Sequence, residues 1–143
     1  MKIDSIVNGI VIDHIAAGRG MQLYKLLGLD KLEDCSVAIL MNVQSRKMGR
    51  KDIIKVDATI DLDLDAIGYV DPNATVNIIK NGELVEKQDI GLPEKLVDII
   101  RCKNPRCITT TEDQLDSIFF LSNAETHTYR CAYCEAAKAR KKF

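Results

Sequence analysis

The sequence predicts an α+β fold in two parts: a β-α-β-β-α-β antiparallel sheet domain with both helices on one face over residues 1–91, and a small β domain over residues 92–143. Three observations carry this. Strand and helix signals alternate through the first part. Asn81-Gly82 separates two β-rich runs as a tight hairpin requires. After Gly91-Leu92-Pro93 the apolar segments shorten and are broken by two pairs of cysteines.

Residues 3–15 are apolar and β-branched, and read as a first strand bent where Asn8-Gly9 interrupts it. Met21, Leu23, Tyr24, Leu26 and Leu27 recur at helical spacing, and Gly28 stands where a left-handed C-terminal cap belongs. Residues 36–43 (SVAILMNV) read as a buried strand, and residues 51–60 (KDIIKVDATI) as its neighbour after a turn around Met48-Gly49. Leu64, Ile67 and Val70 space a short second helix, which Pro72 ends because it cannot continue the hydrogen-bond ladder. Residues 75–79 and 83–87 are the arms of the hairpin. This order is that of a ferredoxin-like sheet, whose second face stays free for a ligand or partner. In the second part, residues 117–121 and 126–130 are the expected strands.

Composition excludes several classes. The 20 Lys and Arg nearly cancel the 21 Asp and Glu, and a net charge of −1 gives no overall field for nucleic acid or an anionic membrane. Any basic site must be local. Asp4, Asn8, Asp13 and His14 break what would be the core of a signal peptide, and no apolar run reaches membrane-spanning length. A soluble, cytoplasmic protein is expected, and there five cysteines, an odd number, argue against disulfides.

Cys102 and Cys107 form C-x4-C, Cys131 and Cys134 form C-x2-C, and 23 residues separate the pairs. Two tight turns whose thiolates converge complete the tetrahedral shell that zinc accepts. Four thiolates leave no open position for water or substrate, so the ion would be structural. Iron is the rival ion for such a shell, and paired disulfides or unrelated buried thiols are the bland alternative. Cys35, alone beside an apolar strand, reads as a core thiol.

No Walker or dinucleotide-binding glycine motif occurs. If residues 51–57 form a strand, Lys51, Ile53 and Lys55 project from one face, and Asp13, His14 and Lys87 can add polar groups to it. Paired lysines on a strand also mark an ordinary solvated edge. With two histidines and no evident nucleophile–base pair, the pattern proposes no reaction.

VIDHI at residues 11–15, MGRKDIIK at 48–55, ATVN at 74–77, LPE at 92–94 and the four spaced cysteines together resemble the aspartate carbamoyltransferase regulatory chains of pyrimidine biosynthesis, over nearly the whole length. The resemblance implies a non-catalytic subunit. Its ferredoxin-like allosteric domain would bind CTP and, competitively, ATP, and its zinc domain would contact the catalytic chain. Regulatory homodimers would bridge catalytic trimers. Carried over by motif, Asp13 and Lys55 would hold the ribose and base region, and His14, Lys51 and Lys87 would face the phosphates. Asn77, Ile79 and the backbone near Ile6 would complete the pocket. Gly82 stands where some members carry an aromatic residue, which bears on base preference. A zinc-ribbon nucleic-acid protein is the rival reading, resting on the cysteine pairs and the basic run at residues 138–142, but that domain lacks an evident aromatic stacking surface.

Overall fold

A computed structural model of the chain describes residues 6–112 and 114–139. Residues 3–5 of the expected first strand and residues 140–142 of the basic run lie outside the described residues. The chain divides into two compact units that meet between Gly91 and Leu92.

The first unit is a five-stranded antiparallel sheet: β1 (Gly9–Ala16), β2 (Val37–Ser45), β3 (Gly49–Val56), β4 (Thr75–Lys80) and β5 (Glu83–Asp89), in the order β2-β3-β1-β4-β5. Helices α1 (Gly20–Leu26) and α2 (Leu64–Val70) follow β1 and β3. The first four strands thus have the ferredoxin-like order, with β5 added by the hairpin. Period-2 alternation sends Ile10, Ile12, Ile54, Val56 and Val76 to one face, the irregularity of β1 between Ile12 and Ile15 brings Ile15 to it as well, and all are buried with Leu23 of α1 and Ile67 of α2. Burying each such side chain contributes about 1.5–3 kcal/mol. Asp63 starts α2 by accepting the N–H groups of Asp65 and Ala66. The helix stops at Asp71, which is extended because Pro72 follows it. Asn81 and Gly82 have φ of 53° and 77°, the paired left-handed conformation of a two-residue hairpin.

Boundaries move for physical reasons. β1 begins only at Gly9, where an added Cβ would lie 2.1 Å from the Val56 carbonyl oxygen. Residues 7–8 instead cap the hairpin: Val7 O accepts from Gly82 N–H, and Asn8 Oδ1 accepts from Asn81 N–H. The strand expected over residues 51–60 ends at Val56, opposite the start of its partner β2 at Val37, and one further bond from Asp57 N–H to Ser36 O closes the pairing.

The second unit is a four-stranded antiparallel sheet of β6 (Lys95–Val97), β7 (Ile118–Asn123), β8 (Thr128–Cys131) and β9 (Ala137–Ala139), with a single helical turn, α3 (Ile108–Thr111). Two of these strands, β6 and β9, have three residues each and carry too little pattern to be read from sequence. Leu96, Phe119 and Tyr129 form the small core, and the Tyr129 hydroxyl donates to the Pro93 carbonyl. No helix among the described residues is long and apolar enough to cross a membrane.

Candidate effector face and metal centre

The strand register lines up the cationic face. Lys55 of β3 pairs with Val11 of β1, Val11 with Asn77 of β4, and Asn77 with Lys87 of β5. Directly paired residues share a face, so these four form a row across the sheet, opposite the buried isoleucines. At about 4.8 Å per strand, the row spans roughly 14 Å. Ile79 lies one period along from Asn77 and pairs with Gly9, over which Ile6 packs.

Asp13 and His14 sit on a bulge of β1, where the register shifts between Ile12 and Ile15 and His14 takes φ of 59°. This distortion aims both residues. Asp13 Oδ1 accepts the His14 N–H at 2.6 Å and lies 2.9 Å from the Lys51 ammonium. His14 Nδ1 is 3.0 Å from the Thr75 hydroxyl. Lys51 is therefore an ion-pair partner of Asp13, where the family resemblance implied a cation facing phosphates.

Burial pushes the Asp13 carboxyl up, but the Lys51 ammonium and the His14 N–H outweigh it and leave the group below its ordinary value of 3.8. A depressed carboxylate contributes stability that is present above the ordinary value and lost as pH falls through the lowered one. The Asp13 carboxyl should therefore titrate below 3.8 by NMR, and Lys51→Met should raise its midpoint because burial is then opposed by His14 without the Lys51 ammonium. An unmoved midpoint would show that the ion pair does not set it.

Two buried carboxylates that sequence reasoning missed hold this bulge and its surroundings. Asp52 is fully buried and accepts three backbone N–H groups, from Gly18 and Gly20 at Oδ2 and from Asn42 at Oδ1. Asp71 accepts from Ala16 and Asn73. The available signal was positional: Asp52 stands on the apolar parity of β3, with Ile54 and Val56.

In the second unit the four cysteine sulfurs come within 4.8 Å of one another, from the loop before α3 and from the end of β8 with the turn after it. Cys102 and Cys134 are 3.5 Å apart, and Cys107 and Cys131 are 3.7 Å apart. These separations are too long for disulfides, and all five cysteines are free. They fit a tetrahedron instead: sulfurs about 2.3 Å from a central ion stand about 3.8 Å from one another. Burial pushes the Cys102 thiol up to about 12, whereas the Ala136 N–H lowers that of Cys134 to about 6. Cys134 is therefore readier than Cys102 to bind as a thiolate at neutral pH, and Cys102 must release its proton to a metal.

Two family models match the chain in succession. Residues 1–91 match the aspartate carbamoyltransferase regulatory chain, allosteric domain. Residues 94–143 match the metal binding domain of the same chain. The chain belongs to the aspartate carbamoyltransferase regulatory chain family. Regulatory chains from Clostridium tetani and Clostridium botulinum (strain Hall) are 46% and 44% identical to it, over 94% of its length and 94% and 92% of theirs. One from Bifidobacterium longum is 42% identical, over 94% of this chain and 96% of its own. As an aspartate carbamoyltransferase regulatory chain it is a non-catalytic subunit, with an allosteric and a metal-binding domain.

Proposed function

We propose that this regulatory chain binds CTP and ATP competitively on the open face of its first sheet, and docks on the catalytic chain through a domain stapled by structural zinc. The observation that carries the reading is the in-register row Lys55–Val11–Asn77–Lys87, with Asp13 and His14 on the adjacent bulge. Two ammonium groups at the ends of a row that is otherwise apolar and neutral suit an anionic ligand with a flat, uncharged part. Asp13 uses Oδ1 for Lys51 and His14, and its Oδ2 is the acceptor for a ribose hydroxyl. Lys55 and Asn77 then read the base region, while His14, Lys51 and Lys87 face the phosphates. Ile79 and the backbone at Ile6 close the end near Gly9.

Cys102, Cys107, Cys131 and Cys134 would hold the zinc, which supplies cross-linking and no open coordination position. Docking through this unit is supported by its exposed Val97, Ile108, Phe120 and Tyr133, large apolar side chains that a partner surface could cover. Pairing into a regulatory homodimer would cover one of the two open sheet edges, where Met41 of β2 and Leu84 and Val85 of β5 are exposed. Five free thiols suit a reducing cytoplasm.

Regulation at a distance requires the nucleotide to bind two quaternary states with different affinity, a coupling of about 1–3 kcal/mol. The covalent path for it is short. Gly91 N–H is bonded to Pro72 O in the first unit, and Pro93 O is bonded to Tyr129 in the second, which leaves Leu92 between them. Mixing the metal-loaded chain with the catalytic subunit of the same cell should give a larger complex whose activity responds to CTP and ATP. Lys55→Ala should weaken nucleotide binding at least tenfold, about 1.4 kcal/mol, with metal content unchanged. Unchanged nucleotide affinity in that variant would remove the open face as the site, and no assembly despite bound metal would overturn the docking reading.

A further inference from the structure

Residues 109–111 are three consecutive threonines that follow the ligand Cys107, and their hydroxyls do different things. Thr110 donates to the Cys107 carbonyl at 2.7 Å, and Thr111 to the Ile108 carbonyl at 3.1 Å, the usual outlets for this side chain in a helical turn. Thr109 departs from them. Its side chain is buried, and its hydroxyl lies 3.0 Å from Cys107 Sγ.

Cys107 is the most enclosed of the four cysteines, only 1% exposed, so water cannot share the charge of its sulfur. Other sulfurs have donors of their own: the Asn104 N–H for Cys102, and the Ala136 N–H for Cys134. A metal-bound thiolate carries no proton and can only accept, so at Cys107 the hydroxyl must be the donor. Buried charge without such a partner is costly, and donors to ligand atoms also fix their orientation.

We propose that Thr109 is a positioning residue of the metal centre, whose hydroxyl donates to the Cys107 thiolate, orients that sulfur and slows the loss of the ion. The inference rests on the metal reading above. Thr109→Val keeps the volume and deletes the donor, Thr109→Ser keeps the donor and deletes a methyl group, and Thr110→Val is a control outside the sulfur shell.

The test uses the full chain loaded with cobalt(II), for its thiolate-to-metal charge-transfer band, and with zinc, for release to a chelator. Expected for Thr109→Val is a band at longer wavelength, because the sulfur lone pairs lose a stabilising donor, and release faster by about 10–100-fold. Thr109→Ser and Thr110→Val should match the parent chain. If Thr109→Val fails to take up metal, Thr109→Ala is compared with Thr109→Ser in the same way. Equal spectra and release in the parent and Thr109→Val would overturn the role of Thr109, and equal damage in Val and Ser variants would reduce it to packing. A parent chain without a tetrahedral thiolate spectrum would instead remove the metal reading itself.

Discussion

Stripping the metal with a strong chelator should unfold the second unit and leave the first intact. Among the described residues of the second unit the large fully buried side chains are Leu96, Phe119 and Tyr129, and a sheet of that size rarely supplies more than a few kcal/mol of net stability. A four-thiolate site contributes about 10–16 kcal/mol of apparent binding energy at neutral pH, which exceeds that margin several-fold. Amide NMR would separate the two units. Resonances of β6 to β9 should collapse toward random-coil positions, while those of β1 to β5 keep their dispersion. Cys131→Ser should do the same without chelator, since it breaks the shell from within a strand that also pairs with β7 and β9. A second unit that stays folded after its metal is gone would show that the sheet, rather than the ion, holds it.

Asp52→Ala should be the most damaging single change in the first unit, costing about 3–5 kcal/mol. Removing the carboxylate leaves the N–H groups of Gly18, Gly20 and Asn42 without their acceptor, and each buried orphan costs about 1–3 kcal/mol, less where water can reach it. The three donors belong to the turn after β1, the start of α1 and the irregular part of β2, so one side chain ties together elements distant in sequence. Gly20 is part of the same arrangement, for an added Cβ there would meet Asp52 Oδ2 at 2.8 Å. Urea unfolding followed by the first unit's amide signals measures the loss, with metal content as the control. A midpoint equal to the parent's would show that these bonds are replaceable by water.

Much of this was legible because the signals are local. The hairpin follows from Asn81-Gly82, since few residues accept two successive positive φ angles. The second helix follows from Leu64, Ile67 and Val70 with Pro72 behind them. The cysteine spacing implied a closed shell before any distance was available. Lys51, Ile53 and Lys55 were placed on one face by strand periodicity alone, and the register agrees. Less local features were not legible. Nothing in the sequence pairs Lys51 with Asp13, because that contact depends on a bulge two strands must agree upon. Nor could three similar threonines be told apart without knowing which hydroxyl turns inward.

Sequence by itself determined the two-part organisation, the order of the larger elements and the four-sulfur set, because periodicity, turn chemistry and ligand spacing act over a few residues. Tertiary structure alone decided which cations share a row, which carboxylates are buried as fasteners and which sulfur receives a hydroxyl. Those outcomes depend on strand register and on burial, and a shift of one residue in a strand would send every side chain to the opposite face.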